Sequence, residues 1–162
     1  PATPPRLMYL YVLLAAAAVL LLVVGVAARP LARWMRDREV RHAVESFRLR
    51  REALEAKFFE IASSLGKPRG VRWKVCDWHP EVTFARDREP GLITAFASVN
   101  VSFEAIPGGD MEEVEHVGLL RDGCAMFHYQ QGAWGTGGRV VFNMNPQEAL
   151  SRFGTQYEGV EL

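Results

Sequence analysis

The stretch "ITAFASVNVSFEA", residues 93–105, decides the fold class. Ile93, Ala95, Ala97, Val99, Val101, Phe103 and Ala105 share one parity, and Thr94, Ser98, Asn100, Ser102 and Glu104 share the other. Successive side chains of a strand leave opposite faces of a sheet. A period of two therefore predicts a long antiparallel strand with one buried and one solvated face. Phe96 is the exception, a large apolar residue on the polar parity.

Further strands flank this one. "VRWKV", residues 71–75, places Val71, Trp73 and Val75 on one face, and "EVTFAR", 81–86, does the same with Val82 and Phe84; "DREPG", 87–91, is a turn. Beyond "IPGGD" and an acidic connection, "CAMFHY", 124–129, turns through "QQGA" into "WGTGGRVVFNM", 134–144. Gly135, Gly137 and Gly138 predict a bulge or strong twist there. In "NPQEALSRF", Asn145 is an N-cap, Pro146 a first-turn residue and Glu148 the capping-box partner of a short helix that Gly154 stops.

Upstream of the strands, no proline or glycine interrupts residues 31–65, and "GKPRG" follows at 66–70. Val40, Val44, Phe47, Leu54, Phe58, Ile61 and Leu65 recur at alternating spacings of four and three, with Arg51 in the one missing slot. That is a helical seam. It packs either on the sheet of its own domain or on a partner. Residues 40–50, with Val40, Val44 and Phe47, are the part expected to face a partner. Arg51 must be paired or reach outward, which argues against a dry coiled coil.

Residues 7–28 carry no charge. Twenty-two helical residues span about 33 Å, enough for a hydrocarbon core of about 30 Å. The run is long for a signal peptide, only Arg6 precedes it, and Pro30 follows the small pair Val26 and Ala28 too closely for a cleavage site. The expectation is an uncleaved single span of the cell (inner) membrane. Arg29, Arg33, Arg36, Arg38 and Arg41 follow it. Positive flanks stay in the cytoplasm, so the N terminus is expected outside and the C-terminal domain inside. Arg29, Arg33 and Arg36 share a helix face beside Trp34, an interface set suited to anionic lipid headgroups. The expected organisation is a tail at 1–6, a transmembrane helix at 7–29, a stalk helix begun by Pro30 over 30–65, an α+β sheet domain of about five antiparallel strands at 66–154, and a flexible tail at 155–162. The sheet is expected to wrap the helix.

That order, with Gly132 and Trp134 at the hairpin turn, resembles cystatin-like and nuclear-transport-factor-like domains, in which a curved sheet clasps a helix. The stretch "FARD…FEA…MEEVE…GRVVFNMNP" also resembles short uncharacterised bacterial membrane-anchored proteins, over residues 66–153. The resemblance implies a fold and no residue roles. Type IV pilins share the helix-into-sheet outline, but the acid near the start of their helix has no counterpart in "PATPPRLMYLY". The arginines after the span would also sit poorly in a pilus core.

Nineteen basic and nineteen acidic residues balance, so charge points to no nucleic-acid partner. Cys76, His79, Cys124 and His128 form a zinc-type donor set, but neither spacing is a knuckle turn and both pairs fall in strands. The cysteines are expected to act as small apolar residues, without metal or cofactor. A Cys76–Cys124 disulfide fits poorly with a cytoplasmic domain. Among Glu112, Glu113, Glu115 and His116 no nucleophile is implied, and the run reads as a solvated connection. "GAWGTGG" lacks the lysine and following helix of a phosphate loop. The expected function is non-enzymatic: a protein-binding domain on a membrane anchor, such as an accessory subunit of a membrane complex. A second expectation is a small-ligand pocket in the clasp, lined by Asp77, Phe96, Ser98, Asn100 and His128.

Overall fold

The computed structural model describes residues 6–64, 70–89, 91–112, 114 and 116–160. Two compact units emerge, Pro1–Glu39 and Val40–Leu162. Helix α1 (Arg6–Ser64) runs through both. Then come β1 (Val71–Asp87), β2 (Ile93–Ala105), β3 (Arg121–Gln130), β4 (Ala133–Gly135), β5 (Val140–Phe142), α2 (Pro146–Arg152) and β6 (Tyr157–Gly159). The class is α+β, with six strands in order β4-β3-β2-β1-β6 and β5 on the same side of β3 as β4. Every pairing is antiparallel.

In the first unit, α1 contains a stretch long and apolar enough to cross a membrane. Pro30 was expected to begin a new helix; it lies inside α1. A proline there removes one backbone bond, to the carbonyl of Val26, without ending the helix.

In the second unit, α1 lays Val40, Ala43, Val44, Phe47, Leu54, Phe58 and Ala62 on the sheet, all buried. The seam therefore takes the first of its two expected partners, the sheet of its own domain. Val40, Val44 and Phe47, expected to face a partner, are instead buried against the sheet, where Phe84, Phe127 and Trp134 surround Phe47 at ring distances of 5.5, 5.4 and 4.9 Å. Leu65 falls outside the described residues. Trp134 Nε1 donates to the Ala43 carbonyl at 2.8 Å and to Ser46 Oγ at 3.1 Å, which ties the β4 hairpin to the helix.

β1 joins the two strands expected at 71–75 and 81–86. Two irregularities bend it. Lys74 has no partner on β2, and His79, Pro80 and Glu81 together lie opposite Ser98. The first bulge reverses the parity, so Val75 pairs with Ser102 rather than joining Trp73, and is 45% exposed. The second is held by α1. The Arg51 guanidinium donates to the carbonyls of His79 and Pro80, and to Glu55 Oε1 at 2.6 Å. The charge in the apolar seam thus satisfies backbone that the bulge releases. β6 covers only Ala85–Asp87 of β1, with Val160 N donating to the Phe84 carbonyl at 3.0 Å, so residues 71–83 have no strand partner on that edge among the described residues.

The expected wet face is half covered. Phe96 is fully buried, in a second core with Ala85, Cys124, Met126, Ala149 and Tyr157. Its ring meets Tyr157 edge-on at 5.2 Å. α2 brings Ala149 to this face and carries the predicted capping box between Asn145 and Glu148. The tail expected at 155–162 instead forms β6, because Tyr157 anchors it; residues 161–162 lie outside the described set.

Candidate functional site

Between α1 and the sheet, Phe47, Phe58, Trp78, Phe127 and Trp134 interdigitate at ring distances of 4.9 to 6.0 Å. Side chains fill the interior that a clasp ligand would need, and the concave features lie elsewhere.

One is a polar groove of about 580 Å³ on the opposite face, at the end of β2 and β3 nearest α2. His79 reaches it from the β1 bulge, Ser98 and Asn100 from β2, Asp122 from β3, and Asn143 and Glu148 from the β5–α2 corner. Asn143 has φ 58°, in the left-handed region where asparagine is tolerated, and its N–H donates to the Asp122 carbonyl at 2.8 Å. Glu148 is partly committed, since Oε2 accepts from Asn145 N at 2.9 Å. The groove can form hydrogen bonds to a polar molecule. It has no oriented acid–base pair, because no bond links His79 to a carboxylate among the described residues.

Of the five residues expected to line a pocket, Ser98 and Asn100 do so, but in this outer groove. Phe96 is core, Asp77 is exposed and pairs with Asn100 without lining the groove, and His128 Nδ1 is paired with Thr94 Oγ1 at 3.1 Å. Burial lowers the His128 pKa, against the raising effect of Asp87.

The cysteine–histidine set does not assemble. Cys76 pairs with Val101 on the α1 side and packs on the first core, whereas Cys124 pairs with Ser98 on the other side. Strand parity separates them. The Cys76–Cys124 disulfide is absent for the same reason; both thiols are free. No cluster of three or more metal-ligating side chains exists among the described residues. Burial pushes the Cys76 thiol up to about 11 and that of Cys124 to about 12, so both stay protonated near neutrality.

In the first unit, Arg29, Arg33 and Arg36 share a shallow hollow of about 310 Å³ with Ala28 and Ala32, on one exposed helix face. Trp34 is 53% exposed, and the Arg38 guanidinium lies 5.5 Å from its ring centroid.

A feature missed in the sequence is an apolar groove of about 460 Å³ beside the start of β3 and the end of β5. Val71, Phe103 and Phe142 line it from the sheet, and Met111 and Val114 from the connection between β2 and β3. The available signal was the apolar Met111, Val114, Leu119 and Leu120 scattered through a run that reads as solvated acid. Comparison with family models, with curated proteins and with solved structures returns no match.

Proposed function

We propose that the chain is a non-enzymatic, single-span membrane protein whose α+β unit faces the cytoplasm and binds other proteins, as an accessory subunit of a larger membrane complex. The observation that carries this is the surface of α1. Its large apolar side chains from Met8 to Val26 are 52% to 73% exposed. An aqueous helix that is apolar all round must be buried, and no described part of the chain buries this one. A bilayer supplies the missing solvent. Arg29, Arg33 and Arg36 then meet the cytoplasmic headgroups, and the arginine excess on that side sets the orientation.

Orientation is tested with Glu158→Cys, at an exposed position of β6. The two natural thiols are held protonated and give little background. An impermeant maleimide should label this variant only after the cells are opened; labelling of intact cells overturns the orientation. Binding is tested by purification in mild detergent, where a chain that always elutes alone and monomeric counts against the reading.

The polar groove favours a second reading, a small polar ligand held by Ser98, Asn100 and Asp122. Ligand-observed NMR with a fragment set on the full chain and on Asn100→Ala decides it. Hits that survive the substitution unchanged exclude the groove.

A further inference from the structure

The connection between β2 and β3, residues 106–120, is where the second unit exposes apolar surface. Six large apolar side chains are exposed among its described residues: Leu49, Val75, Met111, Val114, Leu119 and Leu120. Four of the six belong to this one connection, where they are 38%, 47%, 59% and 59% exposed. Such clustering on a small domain marks an interaction surface, whereas scattered single residues do not.

The segment is also pre-shaped. Ile106 N donates to the Gly70 carbonyl at 2.8 Å, which pins its start. Bonds from Gly109 N to Ile106 O, Glu112 N to Gly109 O, Val114 N to Met111 O, Val117 N to Val114 O and Leu119 N to His116 O wind it through successive turns. Gly108 N donates to Glu112 Oε2 at 2.8 Å. A partner meeting this surface orders little of it, so less of the contact energy is lost on binding.

Charge selects the occupant. Residues 106–120 contain Asp110, Glu112, Glu113 and Glu115 and no lysine or arginine. Asp110 and Glu112 are exposed beside the groove-lining Met111. Arg121 itself lines the groove, so the occupant's apolar side chains fill it and its cations sit outside, beside Asp110 and Glu112. The anionic cytoplasmic leaflet and nucleic acid carry the same sign as the connection and are disfavoured.

From this we infer that the groove of Val71, Phe103, Phe142, Met111 and Val114 docks a short amphipathic segment of a partner protein, with apolar side chains on Phe103 and Phe142 and lysines or arginines beside Asp110 and Glu112. The inference rests on the protein-binding reading above and names its site and partner chemistry.

The test uses the full chain in phosphatidylcholine nanodiscs and two fluorescein-labelled peptides. One alternates lysine and leucine around a central phenylalanine; the other has glutamate for every lysine. Fluorescence anisotropy should show the lysine peptide binding, its Kd rising about tenfold in Val114→Asp and several-fold as salt is raised. The glutamate peptide should not bind. Val114 is 47% exposed in a connection, so Val114→Asp should keep its melting temperature, which is checked alongside. Equal affinity for both peptides, equal binding to empty nanodiscs, or indifference to Val114→Asp overturns the inference. Photo-crosslinking amino acids at Leu119 and at Gln147 on α2 separate it from the broader reading. Adducts through Leu119 to basic segments of another protein support the groove. Adducts through Gln147 alone sink the groove and leave protein binding standing, and no protein adduct from either position sinks both. A Leu119 adduct to a second copy or to lipid overturns the groove's assignment in favour of self-association or the bilayer.

Discussion

Phe47→Ala separates a helix that packs on its own sheet from one that waits for a partner. Phe47 is 1% exposed, and three rings stand around it within 5.5 Å. Truncation loses the transfer free energy of the ring, about 2 kcal/mol. It also leaves a void of roughly 90 Å³, which at about 24 cal/mol per Å³ adds about 2 kcal/mol. The sum is about 4 kcal/mol, near the middle of the range for buried Phe→Ala. For a unit of this size each kcal/mol moves the midpoint by about 4 °C, so the expected fall in Tm is about 15 °C. The assay is thermal unfolding of the full chain in detergent micelles, followed by tryptophan fluorescence. Trp134, 4.9 Å from Phe47, lies within the perturbed cluster. Leu49→Ala is the control, on the same helix at 81% exposure, and should change stability by no more than about 0.5 kcal/mol. If Phe47→Ala melts with Leu49→Ala, or if its loss depends on protein concentration, the seam is not held by its own sheet and the reasoning fails.

Two tryptophans make a contrast. Trp134→Phe removes a donor bonded to Ala43 O and should cost about 1–2 kcal/mol, whereas Trp73 Nε1 is buried without a partner and Trp73→Phe should cost clearly less, by urea titration. Arg51→Met frees the His79 and Pro80 carbonyls; with both ionic partners partly solvated, the loss should be about 1–2 kcal/mol, and Arg51→Lys should restore little because an ammonium cannot fork to two carbonyls. Burial lowers the folded pKa of His128, so the unfolded chain takes up the proton more readily. Stability should be full above the unfolded value of about 6.5 and decline as pH falls from there toward the folded pKa; melts across pH should lose this slope in His128→Gln. Oxidation of the folded chain should leave two free thiols per chain by mass spectrometry, because Cys76 and Cys124 lie on opposite faces of the sheet.

Periodicity revealed the parts of the fold that repeat along the chain. β2, the α1 seam from Val40 to Ile61 and the capping box of α2 each follow from local spacing. What stayed hidden depends on breaks in spacing or on distant contacts. Val75 was placed with Trp73 because a period of two cannot foresee a bulge at Lys74. Tyr157 was placed in a loose tail because three residues carry no period; its burial comes from Phe96, sixty-one positions earlier. Phe96 itself was visible as an exception and was the one sign of a second core. The polar groove was legible in part: Ser98 and Asn100 follow from parity, but His79 enters only through the bulge that Arg51 secures. Both grooves owe their walls to segments without periodicity, the β5–α2 corner and the 106–120 connection.

The edge of β1 over residues 71–83, without a strand partner among the described residues, has a consequence for crowding. On the membrane anchor proposed above, the chain would diffuse in two dimensions, where copies of it would meet often. A straight strand exposed from Val71 onward would offer those copies a template for intermolecular strand pairing. β1 is a poor template: Lys74 is bulged out and charged, Pro80 cannot donate, and Arg51 already occupies the carbonyls of His79 and Pro80. The irregularities that bend β1 therefore also disfavour strand pairing between copies of the chain.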